Sequence, residues 1–462
     1  MPSRQDQLHS YQFMVQRVVS ALVVRETDPA QSPFRRVAVA ALASLMIAMV
    51  GVAGFAVYGV FAGGSNADWK ATPNSVIVEK ESGASFVYRD GVLHPVRNLA
   101  SALLIAGGGA PAVLQVGRSS LADTPRGSLL GITDAPDAVP APEQLVSGAW
   151  TVCAATTPTA EAVSLLAIGD RSVGGRPLAE ESATTVAAAG DPNTVYLLWR
   201  NRKYLVRGRG DGNSVLAALR MHNAPARSVD PAFLNAVPAG DPIVAPPLGP
   251  SGRSSYGDAS VGDVFRFEPP DGGTPRYFAA VRDGLAEITA LQANVLGQRS
   301  PTRTVGDAPP SNPRSLLPAG ELAPPPFVPA FVNTGSAGLC ATTTDDQGVR
   351  EIRFNATVPD LSALSRTAGE RKGTRAVIAD YVLVEPGRGV LVEGFTTAGT
   401  SGGVVSLVTD LGQQFALENA AARAALGFAT TVPVRMPTAL VALLPEGPRL
   451  GVDDAMQAVT LS

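Results

Sequence analysis

Residues 37–62 read VAVAALASLMIAMVGVAGFAVYGVFA, a run without a charged residue or a proline. Crossing a bilayer takes about 20 apolar residues in a helix, which satisfies its own backbone hydrogen bonds. Arg35 and Arg36 precede the run, and residues 1–36 contain more arginines than acidic residues. Because basic flanks stay in the cytoplasm, the sequence predicts a cytoplasmic helical segment at 1–36, a transmembrane helix at 37–62 and an extracytoplasmic domain at 63–462.

The same run has two other interpretations, a cleaved signal peptide and a buried core helix. Val60-Phe61-Ala62 resembles a cleavage site. The apolar run is nevertheless longer than a signal-peptide core of about 7–15 residues, and the segment before it is too long. A core helix of a soluble domain would keep a polar face, which this run lacks. A membrane anchor is therefore the favoured interpretation.

The composition of the chain limits its class. Among 462 residues, Lys+Arg number 37 and Asp+Glu number 40. This near balance argues against a nucleic-acid-binding protein. Gly 47 and Pro 38 are high, while charged residues make up only 17%. Such a composition favours short strands joined by turns over long helices.

An apolar stripe occupies the segment before the span. Ser3 and Asp6 resemble a capping box, and Asp28-Pro29 ends the predicted helix. Residues at spacings of three and four lie on one helical face. They are Leu8, Tyr11, Val15, Val18 and Leu22. A helix on the inner membrane surface is one interpretation. We favour docking to a partner subunit, because the helix lacks a Lys-rich face.

Four copies of a strand–turn–strand–helix unit follow the span. The first copy contains FVYRDG at 86–91 and a helix capped by Asn98. The third repeats it with YFAAVRDG at 277–284, followed by a helix at 290–296. The second and fourth copies read the same way at 195–219, with Asn213 as the cap, and at 404–426, with a helix from Glu418 to Leu426.

The copies are arranged in two similar halves. The second and fourth copies share a Pro-x-x-Leu tail, at 231–240 and 437–447, which we do not find after the first and third. The strands CAATT and CATTT, which begin at Cys153 and Cys340, each lie between the two copies of one half. The sequence therefore predicts an α+β fold with a β-rich duplicated domain. Its halves, about 76–248 and 255–451, would be related by a pseudo-twofold axis.

The two cysteines lie beyond the predicted span, in an oxidising compartment. An exported pair favours a disulfide, although two cysteines alone leave two buried free thiols as the alternative. The duplication favours the disulfide, because it would bring both cysteine strands to the pseudo-symmetry axis. Whether the bond forms depends on the Cα atoms lying within about 7 Å.

Little in the sequence predicts catalysis. The histidines His9, His94 and His222 are far apart and predict no metal site. No Gly-x-x-x-x-Gly-Lys-[Ser/Thr] phosphate loop occurs. The basic segment 200–209 could hold an anionic polymer or a nucleotide phosphate, but a solvated turn is the favoured interpretation. We expect no catalytic residue, no metal and no resident cofactor.

Several motifs together resemble the EccB family, the membrane subunit of actinobacterial type VII (ESX) secretion systems. They are SRQDQLHSYQF at 3–13, the single span, GVLHPVRNLASA at 91–102 and the paired cysteines. The resemblance covers essentially the whole chain. It implies a single-pass inner-membrane protein whose exported domain has four repeats around a central core closed by a disulfide.

The resemblance also implies partners. We expect assembly with EccC, EccD and EccE type subunits and other copies of this chain into a secretion pore, with contact to membrane lipid and none to nucleic acid. Members of the family are often described as ATPases, which implies ATP as a ligand. Two hypotheses follow. A structural subunit of the export channel is favoured by the duplicated scaffold and the docking helix. An extracytoplasmic ATP hydrolase or cell-envelope polymer binder would need a pocket of convergent arginines and carboxylates.

Overall fold

The computed structural model describes residues 4–24, 39–52, 69–72, 74–169, 172–207, 214–298, 302–305, 309–368, 376–400 and 402–459. The chain divides into two compact units. The first consists of Met1–Thr72, Ile77–Ala84 and Leu114–Thr124; the second consists of Pro73–Val76, Ser85–Val113 and Pro125–Ser462.

Helices α1 (Arg4–Val24) and α2 (39–52) belong to the first unit. Helix α1 carries the whole predicted stripe, whereas the predicted capping residue Ser3 and the stop at Asp28-Pro29 lie outside the described residues. So do the remaining parts of the predicted span, 37–38 and 53–62. Among the described residues, no helix combines the length and the apolar character needed to cross a bilayer.

The chain has a mixed α+β architecture with many short strands and few helices. The further helices are α3 (Leu99–Ala106), α4 (Arg118–Leu121), α5 (Ser214–Ala218), α6 (Pro231–Ala236), α7 (Ala290–Gly297), α8 (Ala420–Ala425), α9 (Thr438–Val441) and α10 (Val452–Ala455). Single 3-10 turns occur at Pro142–Gln144 and Leu361–Ala363.

The strands of the first half are β1 (Ser75–Glu79), β2 (Ser85–Arg89), β3 (Val92–Pro95), β4 (Ala112–Val116), β5 (Trp150–Thr156), β6 (Ala162–Ile168), β7 (Arg176–Pro177), β8 (Ser182–Ala188), β9 (Asp191–Trp199), β10 (Arg202–Arg207) and β11 (Arg227–Val229). Those of the second half are β12 (Val264–Phe267), β13 (Arg276–Val281), β14 (Gly284–Ile288), β15 (Arg303–Thr304), β16 (Arg314–Ser315), β17 (Ala330–Phe331), β18 (Gly338–Thr343), β19 (Val349–Ala356), β20 (Tyr381–Leu383), β21 (Val390–Phe395), β22 (Val404–Val408), β23 (Gln414–Ala416) and β24 (Val434–Pro437).

A central six-stranded sheet joins the two halves of the second unit. Its order is β20-β6-β5-β18-β19-β7. Strand β20 of the second half therefore lies beside β6 of the first half, and β7 of the first half lies beside β19 of the second. Strands β5 and β6 are almost wholly buried, as expected for an interior sheet. The largest core cluster contains Trp150 of β5, Phe233 of α6 and Leu440 of α9, each at most 2% exposed. The sheet and these two helices therefore share one hydrophobic core.

The four predicted strand–turn–strand–helix copies correspond to observed elements. They are β2–β3–α3, β9–β10–α5, β13–β14–α7 and β22–β23–α8, each with an antiparallel hairpin. In the first turn, Asp90 and Gly91 both have positive φ, which suits the twist of a tight hairpin. Asn98 caps α3 by accepting from the Ser101 N–H at 3.0 Å. The predicted cap Asn213 lies outside the described residues.

The fourth helix begins later than the sequence suggested. We predicted a start at Glu418, but α8 begins at Ala420. The reason is that the side chain of Asn419 accepts from the Ala422 N–H at 2.9 Å, which fixes Asn419 as the N-cap.

The prediction that only two copies carry a tail is wrong. In every copy a proline-led segment lies parallel to the second hairpin strand. The paired residues are Leu93 with Arg126, Lys203 with Ala239, Ala286 with Arg314, and Gln414 with Glu446. Each tail residue directly follows a proline: Pro125, Pro238, Pro313 and Pro445. The first and third tails were missed because no Pro-x-x-Leu helix start precedes them.

Three of the tails pack a glycine against a ring. A Cβ added to Gly127 would lie 2.4 Å from the ring of His94. A Cβ added to Gly240 would lie 2.1 Å from the ring of Tyr204, and one added to Gly447 would lie 2.2 Å from the ring of Phe415. Only glycine allows the backbone to approach a ring this closely. In the third copy, Ser315 takes the place of the glycine and Glu287 that of the ring.

Helices from different copies pack in pairs. Helix α3 of the first copy contacts α8 of the fourth, and α5 of the second contacts α7 of the third. The Ala110 N–H donates to the Ala424 carbonyl at 3.0 Å, and Asn294 donates to the Ala218 carbonyl at 3.3 Å. The tail helices α6 and α9 also contact each other. Both halves are thus needed to complete each helix pair.

Candidate functional site

The two cysteines meet at the middle of the central sheet. Strands β5 and β18 are antiparallel neighbours with Cys153 opposite Cys340. Their sulfur atoms form a disulfide, with the Cα atoms 4.0 Å apart and both residues fully buried. Beside it, the hydroxyls of Thr151 and Thr342 are 3.1 Å apart, within hydrogen-bond distance. A covalent bond therefore joins the halves where their strands already pair.

A charged network forms a second link between the halves. Asp380, 5% exposed, accepts from the Ser164 N–H at 3.0 Å and from Arg366 at 2.9 Å. Arg366 also pairs with Glu161 at 2.7 Å. Its hydrogen bonds to Glu161 and then Asp380 raise the pKa of Arg366, while the hydrogen bond from Arg366 lowers that of Glu161. Nearby, burial raises the pKa of Asp230.

An ion pair within the second half holds the tip of the other central hairpin. Asp346 lies in the turn between β18 and β19 and pairs with Arg435 of β24 at 2.6 Å. The guanidinium of Arg435 also stacks on Phe395, 3.7 Å from the ring centroid. The hydrogen bond from Arg435 lowers the pKa of Asp346. Because each central hairpin is fixed at its tip by an arginine, the sheet is braced at both ends.

The predicted docking stripe lies on an exposed helix. The exposed fractions of its members run from 42% to 77%: Leu8 55%, Tyr11 67%, Val15 42%, Val18 54% and Leu22 77%. Phe13 and Met14, outside the predicted stripe, are 63% and 64% exposed. The apolar surface of α1 is therefore broader than the spacing rule indicated. An exposed apolar surface of this kind is suited to contact with protein or membrane.

In the described part of the basic segment 200–209, the cations contact groups of the protein itself. Arg200 pairs with Glu180 at 3.2 Å and stacks on Trp199, and Arg202 lies 3.7 Å from Glu321. The ammonium of Lys203 donates to the Leu234 carbonyl, and burial lowers its pKa. Glu180 and Glu321 lie outside the second copy, so these two ion pairs join it to neighbouring segments. Residues 208 and 209 lie outside the described residues.

The histidines have structural surroundings where the structure describes their contacts. His94 packs on Gly127, and its Nδ1 lies 3.2 Å from the Ser128 carbonyl. Within the described residues, no group of three or more His, Cys, Asp or Glu side chains is placed to hold a metal ion. The disulfide and the Asp380 network can hold the two halves of the second unit together.

Sequence reasoning missed the charged links. Glu161, Arg366 and Asp380 are far apart in sequence and belong to no spacing motif, so only the fold brings them together. A signal that was present and overlooked is the pair LGITDA at 130–135 and LGVDDA at 450–455. Both follow a tail, and Leu130 of the first segment bridges to Ala458, just beyond the second.

Comparison with known proteins gives relatives along nearly the whole chain. The ESX-3 secretion system ATPase EccB3 of Mycolicibacterium smegmatis is 26% identical over 479 residues, covering 98% of this chain and 90% of that protein. The ESX-1 secretion system ATPase EccB1 of Mycobacterium tuberculosis is 25% identical over 486 residues, covering 97% and 93%.

Solved structures share the fold. A chain of an intact ESX-5 inner membrane complex aligns with a TM-score of 0.65 at 24% identity, covering 100% of this chain and 96% of that chain. A chain of the EccB3 dimer from the ESX-3 core complex aligns with a TM-score of 0.63 at 24% identity, covering 83% and 100%.

The family described as "Type VII secretion system ESX-1, transport TM domain B" matches residues 1–461. This match includes α1, the predicted span and the central six-stranded sheet. The chain therefore belongs to the EccB family of type VII secretion proteins.

Proposed function

We propose that this chain is a structural subunit of an ESX type VII secretion apparatus in the inner membrane. Family membership along 1–461 supports this role. The observation that carries it is the exposed apolar surface of α1, which a protein working alone in water would bury. The braced central sheet supplies a rigid exported body to which other subunits can bind.

The chain is a single-pass protein with a cytoplasmic segment at 1–36, a membrane helix at 37–62 and an exported domain at 63–462. The charge bias around the apolar run supports this topology. Single cysteines introduced at Ser3 and Ser462 test it in intact cells. An impermeant maleimide should label position 462 and spare position 3, and the opposite pattern would refute the topology.

The exported domain is a duplication with pseudo-twofold symmetry. The order of the central sheet supports this, because exchanging β5 with β18, β6 with β19 and β7 with β20 leaves the order unchanged. The helix pairs agree with the same exchange, since α3 with α8 becomes α7 with α5. The disulfide would then lie on the axis.

The partners are EccC, EccD and EccE type subunits, further copies of this chain and membrane lipid. A relative's structure is described as an EccB3 dimer from an ESX-3 core complex, which supports self-association. The α1 surface is the proposed contact for the cytoplasmic partner. Its breadth, with Phe13 and Met14 exposed as well, suits a helix enclosed by more than one neighbour.

Co-purification tests the docking surface. Leu8→Asp combined with Val15→Asp places two charges on the stripe and should release the chain from the complex while it stays in the membrane. A matched control is His9→Asp with Gln16→Asp, which adds the same groups at the same spacing on another face of α1. Equal recovery of the complex with both double variants would refute docking through the stripe.

ATP hydrolysis, or binding of a cell-envelope polymer, is the second candidate. Its support is that the relatives are named ATPases. Against it stand the contacts of Arg200, Arg202 and Lys203, which are engaged with the protein itself. Phosphoryl transfer also needs a phosphate cradle and a held metal ion, for which the sequence offers no motif.

A further inference from the structure

An open cleft of about 560 Å³ lies in the third copy. The turn of the β13–β14 hairpin (281–285), the segment 310–314 and Tyr256 contribute to its walls. Small-ligand sites usually have volumes of roughly 300–1,000 Å³. The cleft is therefore large enough to hold a ligand.

The third copy differs from its sister copies at this wall. In the second and fourth copies the residues before the tail proline form helices α6 and α9, which bury Leu234 and Leu440. The third copy has Pro309 and Pro310 at that place, and its described part contains no helix between β15 and β16. Prolines disfavour a helix there. Residues 310–314 form a wall of the cleft at this place.

Two arginines on the walls lack a carboxylate partner among the described residues. Arg282 and Arg314 are exposed, and neither forms an ion pair there. Neighbouring arginines of the same copy are paired: Arg276 with Glu287 at 2.7 Å and Arg303 with Asp258 at 3.1 Å. The cleft thus presents two free guanidinium groups suited to a carboxylate or phosphate.

A tyrosine is held firmly beside these arginines. The ring of Tyr256 packs edge-on against Phe265, with centroids 5.2 Å apart, and remains 36% exposed. Its backbone N–H donates to Ser254 Oγ at 3.1 Å, and that hydroxyl donates to the Val281 carbonyl at 2.7 Å. The tyrosine is therefore fixed to the hairpin turn before any ligand arrives, which lowers the ordering cost of binding.

We propose that this cleft binds an extended acidic peptide segment, with a carboxylate on Arg282 and Arg314 and an apolar side chain on Tyr256. Asp283 also lines the cleft. Its carboxylate can accept hydrogen bonds from the backbone N–H groups of a peptide, which a phosphate does not offer. Extended proline-containing peptides bind grooves lined by aromatic rings, and Tyr256 supplies such a ring here. The proposal does not depend on the proposed secretion role.

The test uses the full chain in detergent and a fluorescein-labelled hexapeptide, Pro-Glu-Tyr-Pro-Glu-Pro, followed by fluorescence anisotropy up to about 1 mM protein. Binding should weaken with added salt and should fail for the peptide with lysine in place of glutamate. Arg282→Gln combined with Arg314→Gln should weaken binding at least about tenfold. Tyr256→Phe should keep an affinity within about threefold of the parent, because the aromatic ring supplies the contact. The affinity of Tyr256→Ala should fall below that range.

Arg303→Gln is the matched control, since Arg303 belongs to the same copy but does not line the cleft. It should bind like the parent. Absence of binding to the parent protein would overturn the proposal. Equal affinity of the double arginine variant and the control variant would overturn it as well. Circular dichroism of each variant checks that the fold is kept.

Discussion

Gly240→Ala should destabilise the exported domain strongly, although it adds a single methyl group. The new Cβ would lie 2.1 Å from Cε1 of Tyr204, and Tyr204 is 1% exposed. The buried ring cannot swing into solvent, so the tail must move away from β10 and strain its hydrogen bonds to Lys203. Overpacking of this kind costs about 1–3 kcal/mol, and we expect the upper end.

Thermal unfolding measures the effect. The unfolding entropy is roughly 2 cal/mol/K per residue, summed over the exported domain at 63–462. A destabilisation of about 3 kcal/mol therefore lowers the Tm by about 4 °C. In a Tyr204→Leu background the same glycine substitution should cost much less, because the ring that it strikes is gone. The double-mutant cycle should therefore show a coupling of about 1 kcal/mol or more.

The matched control is Gly297→Ala at the end of α7. A Cβ there would lie 3.8 Å from Thr302 Oγ1, an ordinary contact. Alanine in place of helical glycine changes stability by about 1 kcal/mol or less, in the favourable direction. Our reasoning is refuted if Gly240→Ala melts at the same temperature as Gly297→Ala.

The disulfide, the Asp346–Arg435 ion pair and the basic segment each give one further prediction. Replacing both Cys153 and Cys340 by serine should lower the unfolding free energy by up to about 5 kcal/mol in the chain-entropy estimate, and free thiols in the non-reduced parent would contradict the bond. Arg435 holds the pKa of Asp346 below its ordinary 3.8. The ion pair therefore stabilises the fold fully above pH 3.8 and loses this effect as the pH falls through the lowered pKa of Asp346. The stability deficit of Asp346→Asn should therefore shrink in acid urea titrations, and a constant deficit would count against the pair. The full chain should turn over ATP far more slowly than about 1 s⁻¹, and magnesium-dependent turnover at that rate through several columns would overturn the structural role.

Local patterns predicted the hairpins because their signals are contained in a few adjacent residues. The turn at Asp90-Gly91 and the cap at Asn98 were predicted from neighbouring residues alone, and both are present. The cysteine strands were also recognised from their similarity. Their register, Cys153 opposite Cys340, depends on how β5 and β18 slide past each other, and no residue spacing fixes that.

The third copy shows why the tails were harder to find. Its tail keeps Pro313, but Ser315 and Glu287 stand where the other copies have a glycine and a ring, and the described residues just before Pro313 form no helix. The sequence therefore offered no pattern of adjacent residues to match. The buried network at Asp380 was beyond sequence reasoning for another reason. Its partners come from β6 and from the segment before β20, which pair only after the two halves have combined.

The disulfide also constrains the order of events during synthesis. Cys153 is made first, and its partner Cys340 follows 187 residues later. At about 5–20 residues per second, the earlier thiol waits roughly 10–40 s for a partner. During that interval β18 and α8 have not yet been made, so β5 cannot pair with β18 and α3 cannot pack on α8. A nascent first half therefore carries a reactive thiol on an unpaired strand edge, and two such chains side by side could cross-link to each other before either is complete.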